Sequence, residues 1–530
     1  MSNSYRFGVL ERRGSIAGFR SGQIGVLAGA LVVAVIVLRS LGSPIGELIG
    51  FVVVSLAVAC VTVPVGGLCM DQWLPVIIGW KYSGGSVKRL GMNLDGHYRI
   101  TSPESDLAVS ELTRPARPTR PASWPAYRSS SGQARLGRDG IIDKSIGSML
   151  RIGQSAIGRC DFYDIELQGV GRVGICADRE YNRYCIVLAV RSSGFNLLDP
   201  SERDQKVNAW SSVLASLSRD RSPIGRIQWM SRSCPGDPSH MIKYLENNME
   251  VDISSKPGTS YHELLMSESS YIRRGETYIV ISTDRRSSIR SLGASHSRPK
   301  AGERPTVDKI AGQVLCDQLG PVVSELSSAS IEIEGVLDSE AVEHLFASTF
   351  RSISAGERAR SPWPISLKAQ WSTVITDDLH HVIYWIEEWP RTEVPSDFMA
   401  PLLLAGSARV LVSVTMEPID SLKAARQIEN ARLTRAADDE LRRRGGFTLS
   451  VRRKKEEEVL CQREIELANG HTQYRFSGYV MVSGRTEDEL NRNCALVEQC
   501  ASRSFLSLRR LYGDQERALS WVLPICRGLA

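Results

Sequence analysis

Two short stretches of the chain carry residue types that could do chemistry. Gly169-Val-Gly-Arg-Val-Gly174 spells G-x-G-x-x-G, and Asp377-Asp-Leu-His-His381 gathers two carboxylates and two imidazoles. A dinucleotide site needs such glycines to open a helix, because the pyrophosphate rests on the helix N-terminus. Here the motif leads into Ile175-Cys-Ala-Asp178, a turn and the strand-like Tyr184–Val190, so the glycines are expected to serve a strand-to-strand turn. His380 and His381 are adjacent in an extended segment. Adjacent strand residues point to opposite faces, so the two cannot share one metal.

Other reactive patterns are missing. No Gly-Lys dipeptide occurs, so there is no G-x-x-x-x-G-K-[ST] loop to cradle phosphates, and Ser83-Gly-Gly-Ser-Val-Lys88 has neither the spacing nor the strand-to-helix setting. No G-x-S-x-G elbow, H-E-x-x-H helix or catalytic-cysteine pattern is present. The expectation is therefore no catalytic residues, no cofactor, no metal, and a protein that neither binds nor hydrolyses ATP. Arg452-Arg-Lys-Lys455 beside Glu456-Glu-Glu458 pairs opposite charges one helical turn apart, which reads as a solvated face.

The net charge of +6 is unevenly placed. Met1–Gly22 carries +3, Glu111–Gly140 carries +4 and Asp284–Arg304 carries +4, which leaves −5 for the remainder. The basicity thus belongs to a terminus and to loop-like segments, and direct nucleic-acid binding by the folded domains is not expected. The eleven cysteines are scattered, odd in number and form no C-x-x-C pair. They suit a reducing compartment better than a disulfide framework.

The elements that must position these residues begin with Ser21–Met70. Ile24–Leu38 and Leu48–Met70 are uncharged and largely apolar, and about 20 such residues can cross hydrocarbon. The reading is a two-helix transmembrane hairpin over 23–80, behind a basic leader over 1–22. Arg6, Arg12, Arg13 and Arg20 before it, and Lys81, Lys88 and Arg89 after it, put both termini in the cytoplasm under the positive-inside rule. Trp73, Trp80 and Tyr82 are expected at the headgroup level, beside membrane lipid, the other reading being a short buried helix Leu74–Trp80. The location implied is a plasma (inner) membrane, multi-pass.

A flexible linker over 84–159 follows, with Pro115, Pro118, Pro121 and Pro125 in TRPARPTRPASWPAYRSSSG. Beyond it, strands are expected at Phe162–Leu167, Arg172–Ala177 and Tyr184–Val190. A helix starts at Asp199 and Pro200, with Val207, Trp210, Leu214 and Leu217 on one stripe. The strand Arg226–Arg232, helical stretches near Ser239–Asn248 and Ser260–Arg273, and the strand Thr277–Thr283 complete a first α/β module over 160–283. A basic mobile loop over 284–304 separates it from second and third modules over 305–530. Their elements are helix Thr306–Ala329, strand Ile331–Glu334, a helix capped by Asp338 or Ser339, strand His381–Trp389, helix Pro395–Ala405 and strand Ala408–Met416. Long charged helices Ser421–Arg444 and Leu449–Ala468 come next, then strand Thr472–Val482, helix Glu487–Ser502, strand Phe505–Leu511 and helix Asp514–Trp521. The fold class is α+β, a transmembrane hairpin followed by cytoplasmic split-βαβ (ferredoxin-like) modules.

Glu464-Ile-Glu-Leu-Ala-Asn-Gly-His471, Glu487-Asp-Glu-Leu490, Arg509-Arg-Leu-Tyr-Gly513 and Trp521-Val-Leu-Pro-Ile525, with a strand after the first, resemble the closing stretch of the non-catalytic N-terminal domain of the type IV secretion traffic ATPase. The leader Tyr5-Arg-Phe-Gly-Val-Leu-Glu-Arg-Arg-Gly14, and Phe195-Asn-Leu-Leu-Asp-Pro200 with Trp210, are similar to membrane proteins of actinobacterial integrative conjugative elements. The resemblance implies an inner-membrane scaffold of a conjugative DNA-transfer apparatus. Such a subunit is expected to work as an oligomer, to join other secretion-channel subunits and to dock a separate motor ATPase. A core membrane component of a type VII protein secretion system is the alternative. The apolar segment holding Trp521, Leu523 and Ile525, which in the resembled ATPase leads into the motor, is the expected docking site. The other reading of those side chains is that they fill the domain's own core.

Overall fold

Tyr184-Cys-Ile-Val-Leu-Ala-Val190 has no polar group to turn toward water except the tyrosine hydroxyl and the weakly polar Cys185 thiol, and such a strand must be covered on both faces. It is the middle of β4 (Arg183–Ser192), buried from 184 to 190. The computed structural model describes residues 21–41, 44–62, 157–192, 198–218, 222–235, 255–268, 273–288, 307–353, 361–390, 392–406, 408–444 and 472–529, with a few single positions besides.

Among the described residues thirteen strands form one sheet, and every pairing in it is antiparallel. In chain order they are β1 (Arg89–Leu90), β2 (Cys160–Leu167), β3 (Gly171–Asp178), β4, β5 (Arg226–Pro235), β6 (Arg273–Asp284), β7 (Ile331–Val336), β8 (Leu367–Ala369), β9 (Val374–Thr376), β10 (Leu379–Glu388), β11 (Arg409–Pro418), β12 (Tyr474–Gly484) and β13 (Ser507–Arg510). The helices are α1 (Ser21–Leu41), α2 (Pro44–Thr62), α3 (Pro200–Leu217), α4 (Lys256–Glu268), α5 (Val307–Ser328), α6 (Ser339–Phe350), α7 (Ala400–Leu403), α8 (Ser421–Arg444), α9 (Glu487–Arg503) and α10 (Gln515–Val522).

The sheet is two copies of one plan. In the first, β4, α3, β5, β6, α5 and β7 follow in sequence while the strands lie side by side as β7-β4-β6-β5. In the second, β10, α7, β11, β12, α9 and β13 follow in sequence and lie as β13-β10-β12-β11. Each has the spatial order fourth, first, third, second of a split βαβ unit. Each is preceded by a hairpin that pairs with the start of its first strand, β2–β3 on β4 and β8–β9 on β10. Each is also followed by a helix, α6 or α10. The two units meet where β5 pairs with β11, from Val410↔Ser233 to Met416↔Ile227.

One face of the sheet carries α3, α5, α7 and α9. Ile186, Leu188, Ile227 and Ile281 meet Leu315 and Leu319 of α5, while Val382, Val410 and Val480 meet Leu490 and Val497 of α9. The opposite face is covered by α6, α10 and the residues after α10, with Val187, Val280, Ile383 and Met481 beneath Phe346, Leu519 and Leu523. Asp338 starts α6 by accepting a hydrogen bond from the Ala341 amide at 2.9 Å. Thr486 starts α9 by accepting one from the Glu489 amide.

Several expectations are corrected. Among the described residues no helix is long and apolar enough to cross a membrane, so the transmembrane hairpin and the multi-pass membrane location are withdrawn. Helices α1 and α2 occupy that stretch and pack on each other. The side chains described without interruption run over 27–37 and 49–58, about half of the ~20 residues a span needs. Within them Leu31, Ile36, Phe51 and Leu56 are exposed. Trp73 is not held at a headgroup level: its ring stacks on Trp371 at 5.7 Å and lies 5.8 Å from Tyr512. The module boundaries also move, because the first unit runs from β4 to β7 and so includes α5 and Ile331–Val336, beyond the expected end at 283. Pro395–Ala405 gives only the single turn α7, with Pro401 inside it. Asp199 precedes α3 in extended backbone, but its side chain makes no cap hydrogen bond.

Trp80, Tyr82, nearly all of the leader, most of the 84–159 linker, Ser239–Asn248, Arg452–Glu458, most of Leu449–Ala468 and 289–304 lie outside the described residues. Residues 285–288 form a helical turn directly after β6.

Candidate functional site

The residues singled out at the C-terminal end lie over the seam between the two units. Leu523 and Ile525 are 0% exposed, and Trp521 is half-buried with its ring 5.0 Å from that of Tyr479. As a docking surface they are therefore corrected: the apolar side chains fill this protein's own core. Apolar composition alone does not say which way a segment faces, and here the segment shares the cover of the sheet's underside with α6 and α10.

Polar pins hold the segment down. Gln228 of β5 donates from Nε2 to the Leu523 carbonyl at 2.9 Å and to Ser413 Oγ of β11 at 2.8 Å. Its Oε1 accepts the Cys526 amide at 2.8 Å. One buried amide side chain thus bonds the tail at two points and joins both units across the seam. Ser413 in turn donates to the Trp521 carbonyl at 3.3 Å. Arg183 and Arg226 both donate to the Cys526 carbonyl, at 2.8 and 3.1 Å. Tyr479 OH donates to the Gly528 carbonyl at 2.5 Å.

The deepest pin is ionic. Arg527 donates from Nε and Nη2 to the two oxygens of Asp178, each at 2.7 Å, and from Nη1 to the Ile157 carbonyl at 2.9 Å. Its guanidinium lies 4.6 Å over the Tyr181 ring. The side chains of Arg527 and Asp178 are 4% and 0% exposed. Burial alone would lower the Arg527 pKa, but Asp178 outweighs it and the pKa rises. Gln515 repeats the amide device at the start of α10, accepting the Ile383 amide at 2.8 Å and donating to the Ile383 carbonyl at 3.1 Å. Sequence reasoning missed Gln228, Gln515, Asp178 and Arg527. The available signal was Gln228 itself, an amide at an interior position of the run Arg226–Arg232.

The two chemistry-like stretches resolve differently. Gly169 and Gly171 have φ of 83° and 94° at the β2–β3 turn, a region that side-chain-bearing residues seldom enter. Gly174 lies within β3, and a Cβ there would sit 2.4 Å from the Asp338 carbonyl carbon, so the residue lets the start of α6 touch the sheet. The motif is a hairpin, as expected. His381 is 0% exposed, its Nε2 2.7 Å from Thr376 Oγ1 and its Nδ1 2.8 Å from Ser483 Oγ, while His380 is only half-buried. Burial first, and then Arg409 and His380, push the His381 pKa down to about 3. The imidazole is a neutral core group at ordinary pH.

A third cluster ties the first turn of α5 to the sheet. Arg179 forms a fork on Asp308 at 2.7 and 3.0 Å and reaches Asp161 at 2.6 Å, and Tyr184 OH donates to Asp308 at 2.7 Å. The Arg179 hydrogen bonds hold the Asp308 carboxyl below its usual value despite burial. Burial, then Asp308, pushes Tyr184 up to about 12. Each of these charges is matched by its neighbour. Among the described residues no group of His, Cys, Asp and Glu is arranged to hold a metal ion. What the arrangement does is fasten elements together. No family model matches the chain, and no curated protein matches it.

Proposed function

We propose that the chain is an assembly subunit of a conjugative, type IV secretion-like DNA-transfer apparatus, one that docks a separate motor ATPase and catalyses no step itself. The observation that carries this reading is the excursion between β11 and β12. Pro418 and Tyr474 are a ladder pair, and the Ile419 amide donates to the Gln473 carbonyl at 2.8 Å. A few residues could close such a hairpin, yet 420–472 leaves the sheet at this neck and returns to it.

Its first part is α8, 24 residues and hence about 36 Å long. Ala424 and Ile428 are buried, whereas Leu422 and Leu433 are 69% and 64% exposed. Arg432 reaches Glu464, in the returning part of the excursion, at 2.6 Å. Among its described side chains only Ala424 and Ile428 are buried, and a long helix so seated is suited to meet something else. The docking surface therefore moves from Trp521, Leu523 and Ile525 to this arm. The resemblance to the non-catalytic domain of a traffic ATPase supplies the class of partner.

The test is to join Pro418 to Tyr474 through a two-residue turn and assay co-purification of the shortened protein with a motor ATPase of the type IV secretion class. Capture should be lost while the thermal unfolding of the body stays within a few degrees. Undiminished capture by a folded, armless body overturns the proposal.

A further inference from the structure

Four cysteines share the tail-covered face of the first unit. Cys160, Cys176, Cys185 and Cys526 are each at most 2% exposed and belong to one packed cluster. Cys176 and Cys185 are directly opposite each other on β3 and β4. Cys160 is a close neighbour of Cys176, and Cys526 of Cys185. The placement of Cys526 is fixed independently of its thiol: its amide is held by Gln228, its carbonyl by Arg183 and Arg226, and its Sγ lies 3.9 Å from the Val280 carbonyl. Val280 and Ser282 are the β6 partners of Val187 and Cys185, so the tail thiol lies at the Val187–Val280 rung, next along the same face from the rung that Cys185 occupies. Cys526 also has φ of 53°, which turns the chain sharply at this thiol.

We propose that Cys526 and Cys185 are a redox latch, a pair of thiols that a peroxide converts to a disulfide fixing the C-terminal tail to β4. This goes beyond the assembly role and does not depend on it. The thiolate of Cys526 attacks one peroxide oxygen, the O–O bond breaks, and the departing hydroxide takes a proton to leave as water, giving a sulfenic acid. The Cys185 thiol then attacks that sulfur and the S–O bond breaks. Its proton leaves with the hydroxide as a second water. Two electrons pass from the thiols to the peroxide.

Cys526 is suited to the first step. Burial raises its pKa, but hydrogen bonds from Cys185 and Ser282 and the nearby Arg183 and Arg226 outweigh burial and bring it below the ordinary thiol value. Burial raises Cys176 and Cys185 well above that value, which leaves Cys185 as the resolving thiol. Hydrogen peroxide is close to water in size, and the tail it must pass is a short segment.

The experiment treats the full chain with hydrogen peroxide, alkylates the remaining thiols and maps cross-links by mass spectrometry without reduction. Exposed Cys461 reports that oxidant was effective. The expected product is a Cys185–Cys526 linkage, two hydrogens lighter than the free thiols and reversed by dithiothreitol. It should persist when Cys160 and Cys176 are both replaced by Ala, and vanish in Cys526→Ser. A dominant Cys160–Cys176 or Cys176–Cys185 linkage, or recovery of Cys185 and Cys526 as alkylated thiols after Cys461 has been oxidised, overturns the proposal. The wild-type map decides the matter even if a variant fails to fold.

Discussion

The two units of the sheet share strand order, hairpin, trailing helix and even the third residue of the leading strand as a buried polar position. That residue is Cys185 in β4 and His381 in β10, and each faces a serine of the third strand in its unit, Ser282 or Ser483. The connections differ far more. The first crossover is the 18-residue α3 where the second has the four-residue α7, and β11–β12 carries the long arm where β5–β6 carries the 13-residue α4. Backbone pairing and two-sided burial constrain strands and their order. Connections that run over the surface are free to lengthen into other roles. The first unit is thus a covered slab, while the second is a slab with an arm.

The largest test of that comparison concerns what makes the halves one body. Deleting 520–530 removes Val522, Leu523, Ile525 and Cys526, all 0% exposed. At about 1.5–3 kcal/mol for each large apolar side chain, the loss approaches the whole stability of a domain. Calorimetry should show both units losing their cooperative transition. A first unit that still melts as wild type would mean the halves are independent.

Arg527→Met breaks the ionic pin and leaves the buried Asp178 carboxylate without its guanidinium, held among the described residues only by the Glu180 and Tyr181 amides. It should cost about 3–5 kcal/mol in urea unfolding, with the loss carried mainly by the first unit. A change below about 1 kcal/mol would show that the packed tail needs no ionic anchor.

A smaller effect separates the units by pH. His381 titrates at about 3 in the fold against 6.5 unfolded. Between those values the unfolded chain binds the extra proton, so stability is complete above pH 6.5 and declines as pH falls toward 3. At pH 5 the loss is about 2 kcal/mol, and it belongs to the second unit. Comparing unfolding at pH 7 and pH 5, the difference should shrink by that amount in His381→Asn.

Much of the body was legible in residue pattern. The alternation and apolarity of Tyr184–Val190 and Ala408–Met416, the Asp338 cap and the helical stripe after Thr486 each announced an element within a few residues of its place. Leu367–Ala369 and Val374–Thr376 were not found, since three residues carry too little periodicity to stand out. The doubling was hidden too: Cys185-Ile-Val-Leu-Ala-Val190 and His381-Val-Ile-Tyr-Trp-Ile386 satisfy one role with different side chains. For the C-terminal segment the sequence leaves docking surface and core both open, because composition records apolarity and not direction. Arg527, beside that segment, was the overlooked hint, since its partner Asp178 is far off in sequence.

That separation has a kinetic meaning. Arg527 and Asp178 are 349 positions apart, and closing a flexible loop of that length costs about 5 kcal/mol beyond the constant part. The contact becomes affordable only once the intervening strands have paired and drawn its ends together. The clasp is therefore a late event in folding, and it reports on whether everything between its halves is already in register.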